Sequence, residues 1–405
     1  LHPRDTEWLL AILKRLRDMG NTVLVIEHDV DVMAGADYVM DMGPGSGKYG
    51  GEVIAAGTLA EIMQQSASVT GTYLQNPQPG KMRFRAPDGA VRIENADIFN
   101  LKHVSVEIPT GCLVSVTGPS GSGKSTLIFQ VLAKGRTDAQ QNRVTGLERF
   151  DRIVETDQSA LARMKRSNVA TFSEVYTEIR NVFAGTEDAK KAGFSAKHFS
   201  FNTPGGRCEN CGGMGYVENN MLFFANTEVV CPVCNGNRFD KGVLAVTYRG
   251  YSIKEILDMS VDEARHVFAD HKKILRILAL LQDVGLGYLQ LGQSLTTLSG
   301  GEGQRLKLAK ELIENRGNNR CLYLMDEPTT GLHPRDIEHF LVLLDRLTDA
   351  GNTVFVVEHN QQLIRNSDWV IDLGPEGGEK GGFVIFEGTP EAMKACAASV
   401  TAKYL

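Results

Sequence analysis

Long hydrophobic runs are missing from this sequence. No stretch of its 405 residues approaches the ~18 consecutive apolar residues that a membrane-crossing helix needs. The expectation is a soluble, cytoplasmic protein with no membrane partner. An excess of positive charge is missing too. A net charge of −6 argues against a globally basic nucleic-acid binder, so any such surface has to be local. Cysteine is sparse and unevenly placed: of seven, Cys112, Cys321 and Cys396 stand alone and read as buried apolar residues. The other four form two Cys-x-x-Cys pairs, which in a cytoplasmic chain suggest a metal site over disulfides. What is present in quantity is ordinary. Hydrophobic residues at 42% suffice for a packed core, and 23% charged residues is typical of soluble domains. At roughly 100–200 residues per domain, the length allows two or three.

The most informative stretch is Gly118–Ser125, GPSGSGKS, between an apolar β-leaning run (Leu113, Val114, Val116) and a helix-prone one from Thr126 to Ala133. This is the phosphate-binding pattern G-x-x-x-x-G-K-[ST] in a strand–loop–helix context. Gly118, Ser120, Gly121 and Gly123 let several amides converge on one anion, and the helix opening at Thr126 adds its positive end. Lys124 is expected to reach the β/γ phosphates of ATP, and the Ser125 hydroxyl to help hold Mg²⁺. A Gly/Ser loop with a stray lysine is the bland alternative, and eight matching positions in the right context weigh against it.

The chain also repeats itself. LHPRD at Leu1 recurs at Leu332, NTVLVIEHD at Asn21 as NTVFVVEHN at Asn352, and DMGPG at Asp41 as DLGPE at Asp372. GGEVIAAGT at Gly50 recurs as GGFVIFEGT at Gly381, and the offset is 331 throughout. Two related domains are therefore expected, residues 1–75 being the end of the first and 91–405 a complete second. A Pro/Gly-punctuated linker, 76–90, joins them, and residues 59–75 read as a terminal helix. From Val91 to Pro109, alternating apolar residues predict hairpin strands. A long insertion, about 136–290, separates the phosphate loop from LTTLSGGEGQRLKLAKEL, a predicted capped amphipathic helix over Leu295–Leu312. CLYLMDEP at Cys321–Pro328 is an apolar strand ending in two acids. Alternating strands and helices predict an α/β layered core.

Behind the phosphate loop a second constellation is in the right order. Asp326 ends a buried strand, where it is a candidate Mg²⁺ ligand, and Glu327 is the candidate to polarise an attacking water. His359 ends the next strand, Thr353–Val357, a place to contact the γ-phosphate. Gln158 is a candidate water and Mg²⁺ ligand. Taken singly, each has a bland reading as a loop-capping carboxylate or a satisfied core histidine. Ser299, Gly300 and Gly301 in LSGGE begin a helix with no bulky side chains, so the γ-phosphate of a second nucleotide has room at its tip. This arrangement resembles the signature of ABC-type ATPases, in which two domains face head to tail. GPSGSGKSTL, DQS…RSN.AT (157–171), FSFNTPGGRCENC (199–211), LGQSLTTLSGGEGQR (291–305) and DEPTTGLH (326–333) together resemble the UvrA family, over essentially the whole chain. The resemblance implies an α/β, ABC-type P-loop core. Into it is inserted a signature domain with a zinc module, and the remnant of a preceding ABC domain comes before it. It also implies a DNA-damage-recognition ATPase of nucleotide excision repair, not itself a nuclease. Three departures stand out: Gly303 where the family has Ala, ARMKRSN at 162–168, and LFFANTE at 222–228.

Cys208-x2-Cys211 and Cys231-x2-Cys234 lie 19 residues apart, a spacing suited to a closed tetrahedral Zn²⁺ site. A redox pair is the alternative, but two such motifs in one short hairpin favour metal, and a site closed by four Cys leaves no catalytic position. The hairpin carries Tyr216, Phe223 and Phe224, which suit either core packing or a nucleic-acid contact. From Gln158 to Arg207 the chain carries eight Lys/Arg against four acids. Arg163, Lys165, Arg166, Lys190, Lys191 and Lys197 are therefore candidate phosphate contacts, although a solvated charged face reads equally well from residues alone. The resemblance implies damaged or drug-bound double-stranded DNA as partner, a homodimer and a UvrB-like helicase. Two further readings stand beside it. One is a UvrA-like self-resistance protein against a DNA-binding antibiotic, and the other is the ATPase subunit of an exporter.

Overall fold

The computed structural model describes residues 2–44, 50–75, 79–136, 143–156, 166–219, 227–314 and 319–405. The chain divides into two compact units, Leu1–Ser159 with Asn315–Leu405, and Ala160–Glu314.

The first unit is built on a six-stranded sheet. Its order is Phe383–Gly388, Trp369–Gly374, Leu113–Thr117, Thr353–Val357, Cys321–Asp326, Arg152–Thr156. Neighbours are parallel except the first pair, which is antiparallel. Leu113–Thr117 and Thr353–Val357 are buried at every position, which is why they read as continuous apolar runs with no alternation. A three-stranded antiparallel sheet, Val104–Thr110, Gly89–Ala96 and Arg143–Thr145, realises the hairpin predicted for 91–109. Val91, Ile93, Ile108, Val116, Ile128, Leu322 and Phe355 belong to one buried cluster joining the two sheets.

The repeat is visible in three dimensions. Helix Pro3–Asp18 matches Pro334–Asp349 residue for residue, each capped by the preceding histidine. Hairpin Val39–Gly43/Glu52–Gly57 matches Trp369–Gly374/Phe383–Gly388, with the same bulge after Asp41 and Asp372. The copies differ at one strand. Thr353–Val357 has a parallel partner on each side, whereas its counterpart Thr22–Ile26 lies in no strand, and Leu24 and Ile26 are 77% and 91% exposed. Among the described residues no strand pairs with Thr22–Ile26.

The expected single helix over 59–75 is two, Leu59–Gln64 and Val69–Gln75. Ser68, between them, donates to Asp41 instead of continuing the first helix (2.5 Å). The second unit begins and ends later than the expected insertion of about 136–290. Arg143–Thr145 and Arg152–Thr156 pair in the first unit's sheets, and Gly300–Glu314 packs on Lys272–Asp283 within the second. That unit buries an aromatic core of Tyr176, Phe183, Phe199, Phe201, Phe239 and Phe268. The Tyr176 hydroxyl is satisfied there by Phe199 O at 2.6 Å.

What the sequence suggests is a linker is pinned down. Asp368, buried, accepts from Leu113 N and Arg85 N at 3.0 Å each and pairs with Lys81 at 2.7 Å and Arg85 at 3.0 Å. Burial alone would raise this carboxyl, but the bonds from Lys81, Arg85 and Leu113 outweigh it and hold it below the usual carboxylate range. Stability from a carboxylate with a depressed folded pKa is fully present above its unfolded value and is lost as pH falls through the folded one. Asp368→Asn is expected to cost about 2 kcal/mol, since it removes the buried carboxylate that Lys81 and Arg85 share and leaves them only the more exposed Asp345 and Asp349. Thermal melts of the two proteins at neutral pH check this, and equal midpoints would refute it.

Candidate nucleotide site and metal centre

The phosphate loop leaves the buried strand Leu113–Thr117 through Gly118. Its φ is 126°, and a Cβ there would lie 1.9 Å from Leu373 O, so only glycine fits. The next helix, Thr126–Leu132, is wound wider than an α-helix, with Ala133 N bonding Ile128 O. Lys124 is buried, and its Nζ donates to Gly118 O and Pro119 O at 2.9 Å, holding the ammonium over the loop. Burial lowers its pKa to about 8, against the pull of Glu327 and Asp326. Ser122 is fully buried, and its Oγ has no hydrogen-bond partner among the described residues. A cationic amine and an orphaned hydroxyl beside a glycine-walled loop suit a polyphosphate.

Ser125 Oγ donates to Asp326 Oδ1 at 3.3 Å, bringing together the two groups expected at Mg²⁺. A bound Mg²⁺ would be held by these oxygens and would neutralise charge on the β and γ phosphates. Glu327 comes next, in the left-handed region with φ 45°, tied by its N–H to Val357 O at 2.8 Å. Such a conformation in a non-glycine residue is unusual and turns the carboxylate out of the sheet. It meets His359, whose Nε2 lies 3.5 Å from Glu327 Oε1. Burial, with Lys124 nearby, keeps His359 neutral down to about 2, and its Nδ1 has no partner among the described residues. A cavity of about 570 Å³ is lined by Glu327 and His359 and by none of the phosphate-loop residues Gly118–Ser125.

Three contributors escaped the sequence reading. Glu358, fully buried, accepts from His359 N (2.7 Å), Asn360 N (2.9 Å) and Thr329 N (3.1 Å), so one carboxylate ties the Glu327 loop to the His359 strand end. Asp5 accepts from Ser120 N at 3.3 Å, within the phosphate loop itself. His2 packs its ring edge-on to His359 at 5.7 Å. The available signal was the repeat, which carries EH at Glu27 and LHPRD at Leu1. Gln158 lies outside the described residues.

In the second unit, Ser299 and Glu302 cap the helix Gly300–Glu314 reciprocally. Ser299 N donates to Glu302 at 2.7 Å and Glu302 N to Ser299 Oγ at 3.3 Å. The predicted helix over Leu295–Leu312 is preceded instead by a tight turn at Leu295–Thr297 and starts at Gly300. A Cβ at exposed Gly300 would touch nothing, so its lack of a side chain serves no packing within this chain. Gly301 is buried in the first turn.

The four paired cysteines converge. Their sulfurs all lie within 4.8 Å of one another, with Cys208–Cys231 at 3.9 Å and Cys211–Cys234 at 3.7 Å. A ZnS₄ tetrahedron with ~2.3 Å bonds has edges of about 3.8 Å, whereas a disulfide needs about 2.05 Å. Gly215 N donates to Cys211 Sγ and Asn210 Nδ2 to Cys231 Sγ, both at 3.2 Å. Backbone N–H groups, chiefly that of Cys234, pull the Cys231 thiol down to about 6, toward the thiolate a metal needs. The hairpin Tyr216–Asn219/Thr227–Val230 rises from this knot, and Phe223 and Phe224 lie outside the described residues. Arg166, Lys190, Lys191 and Lys197 are exposed, Lys191 beside Glu187 at 3.9 Å. Arg163 and Lys165 lie outside the described residues.

Residues 101–330 match the ABC transporter family. This chain belongs to that family. Its matched span includes the Gly118–Ser125 loop and the strand Cys321–Asp326, and the family implies a nucleotide with Mg²⁺. No helix among the described residues is long and apolar enough to cross a membrane. Over its whole length the chain is similar to UvrABC system protein A, as the motifs indicated. Identity is 48% with that of Aquifex aeolicus and 49% with that of Thermus thermophilus, covering 45% and 44% of those proteins. The chain thus spans a little under half the length of the curated relatives it matches. The crystal structure of UvrA2 from Deinococcus radiodurans superposes with a TM-score of 0.91 at 45% identity, covering all of this chain and 50% of that one.

Two measurements test the site. Zinc analysis of the purified protein is expected to give one ion per chain, lost in Cys231→Ala; a metal-free wild type would remove the zinc assignment. Lys124 has to be protonated to pair with phosphate, so ATP affinity is expected to fall as pH rises through about 8. Titration calorimetry should then register proton uptake on binding above that pH, and pH-independent affinity up to pH 9.5 would contradict it.

Proposed function

We propose that this chain carries an ATP-hydrolysing site of a UvrA-like DNA-damage-recognition protein of nucleotide excision repair. The observation that carries this reading is the meeting of Lys124, Ser125, Asp326, Glu327 and His359 at one end of a parallel sheet, in a chain nearly half identical to UvrABC system protein A. ATP lies along Gly118–Thr126, with Ser120, Gly121, Gly123 and Lys124 on its phosphates. Ser125 and Asp326 hold Mg²⁺. Glu327 orients the attacking water, and neutral His359 offers Nε2 to the γ-phosphate. Gln158 senses that centre, and Ser299, Gly300 and Gly301 take the γ-phosphate of a second nucleotide.

Binding and hydrolysis are coupled to duplex DNA, damaged or drug-bound. The exposed cations Arg166, Lys190, Lys191 and Lys197, with Arg163 and Lys165, meet its phosphates. Backbone contacts of this kind carry no base code and suit a detector of shape and deformability. Zn²⁺ at Cys208, Cys211, Cys231 and Cys234 is structural, because four protein ligands leave no open position. A homodimer and a UvrB-like helicase complete the reading. A second reading is self-resistance, in which a UvrA-like protein removes a DNA-binding antibiotic. The departures at Gly303, 162–168 and 222–228 fit such a relative as well as UvrA itself. Preferential binding of drug-bearing over lesion-bearing duplex would decide for it.

Glu327→Gln in the full-length protein is expected to lower ATP turnover by about 10²–10⁴-fold, the usual contribution of a positioned base, while ATP still binds. Steady-state phosphate release and nucleotide-binding titrations measure the two. Turnover at the wild-type rate would remove Glu327 from its role.

A further inference from the structure

The serine and glutamate that cap the signature helix are held by a third residue. Tyr288 lies between the helices Lys272–Asp283 and Gly300–Glu314, and its hydroxyl donates to Glu302 Oε1 at 2.5 Å. The other oxygen of that carboxylate, Oε2, accepts from Ser299 N at 2.7 Å, and Glu302 N donates to Ser299 Oγ at 3.3 Å. A glutamate turns about three side-chain torsions, and a cap made through one oxygen alone leaves the carboxyl free to rotate toward water. With both oxygens engaged, the rotamer that closes the cap is the one kept.

The phenol can serve this way because its own backbone has little room to move. On either side of it, Gly287 O accepts from Asp262 N at 3.0 Å and Leu289 O from Val261 N at 2.9 Å, at the start of helix Val261–Val267. A Cβ at Gly287 would lie 2.4 Å from Asp262 Oδ1, so the turn packs directly against that helix. Further on, Leu291 O accepts from Ala170 N, Gln293 O accepts from Val169 N, and Leu295 N donates to Ser167 O, at 2.8, 3.1 and 3.2 Å. The segment leading into Ser299 is thus tied down at alternate residues, while Ser299 and Gly300 themselves are exposed. Burial, with Glu302 beside it, pushes the Tyr288 phenol up, so it stays a donor. Burial would raise Glu302 as well, but the bonds from Tyr288 and Ser299 outweigh it and keep the carboxylate an acceptor.

We infer that Tyr288 is a positioning residue for the signature: by holding Glu302 in its capping rotamer, it fixes where the helix tip presents the Ser299 hydroxyl. Its effect on turnover runs through Glu302 and Ser299. This rests on the reading above, in which Ser299, Gly300 and Gly301 take the γ-phosphate of a second nucleotide.

The test uses full-length protein and compares Tyr288→Phe, which keeps the ring and removes the hydroxyl, with Glu302→Ala and Ser299→Ala. Tyr288→Phe and Glu302→Ala are each expected to lower kcat per folded chain about tenfold with KM for ATP within about twofold, as loss of orientation does. The Tyr288→Phe/Glu302→Ala double variant is expected to fall no further than Glu302→Ala. Hydrogen exchange reads the cap directly, and the Ser299 amide is expected to exchange about tenfold faster in Tyr288→Phe. A Tyr288→Phe protein with a lowered melting temperature but the wild-type kcat, an unchanged Ser299 amide, or losses that multiply to about a hundredfold in the double variant would each overturn the inference. Ser299→Ala separates the two readings. Wild-type turnover in Ser299→Ala removes the signature reading and this inference with it, whereas an impaired Ser299→Ala beside an unimpaired Tyr288→Phe sinks this inference alone.

Discussion

Ser125 and Asp326 are 201 positions apart in sequence, and they meet because the strand Thr353–Val357 is hydrogen-bonded between Leu113–Thr117 and Cys321–Asp326. Everything the candidate site does depends on that parallel ladder. In a parallel sheet all the strands end on one edge, so the loop of Lys124, the acids Asp326 and Glu327, and His359 emerge side by side. The strands are buried on both faces, which makes the edge rigid. Chemistry that has to align phosphate, metal and water needs that rigidity. Glu358 adds a second tie, and as a fully buried carboxylate it keeps its place only through the three amides and one hydroxyl that it accepts from.

The repeat contributes a second level of order. Two copies of one segment, 331 residues apart, fold alike wherever their partners are alike: helix, hairpin, bulge, histidine cap. They diverge at Thr22–Ile26, which pairs with no strand among the described residues whereas Thr353–Val357 pairs on both sides, and at Val69–Gln75, an α-helix whose counterpart Thr401–Tyr404 is a tighter turn. The copies also do not sit side by side independently. His2 bonds Thr401 of the second repeat and His333 bonds Thr70 of the first, so the relation between the repeats is written into buried hydrogen bonds and not only into apolar contact. Buried hydrogen bonds are less tolerant of a shift than apolar contact, because a displaced donor loses its partner outright.

The second unit follows a different logic. Its core is aromatic and its outer hairpin is held by sulfur. Four cysteines at the base of a short two-stranded ribbon substitute for a hydrophobic core that so few residues cannot build. The cations around it remain on the surface, and the signature helix carries its own cap in Ser299 and Glu302. At the tip of that helix Gly300 is exposed and carries no side chain.

Much of the candidate site was legible before any coordinate. The phosphate loop, DEP strand end, His359 and cysteine pairs are local patterns, because a curled loop, a strand terminus and a metal turn each need particular residues within a few positions. The hairpin at 91–109 and the apolar strands followed from periodicity for the same reason. Tertiary structure alone decided what spacing cannot encode. Glu358 reads as one more acid until its three amides are seen, and Asp368 as a surface residue until Lys81 and Arg85 close over it. Residues 59–75 carry helical propensity throughout, yet Ser68 breaks the helix to reach Asp41. Likewise the LHPRD copies are plain in sequence, but their exchange of partners is not. It rests on hydrogen bonds spanning 263 and 399 positions, whose energy depends on distance in space and leaves no trace in sequence separation.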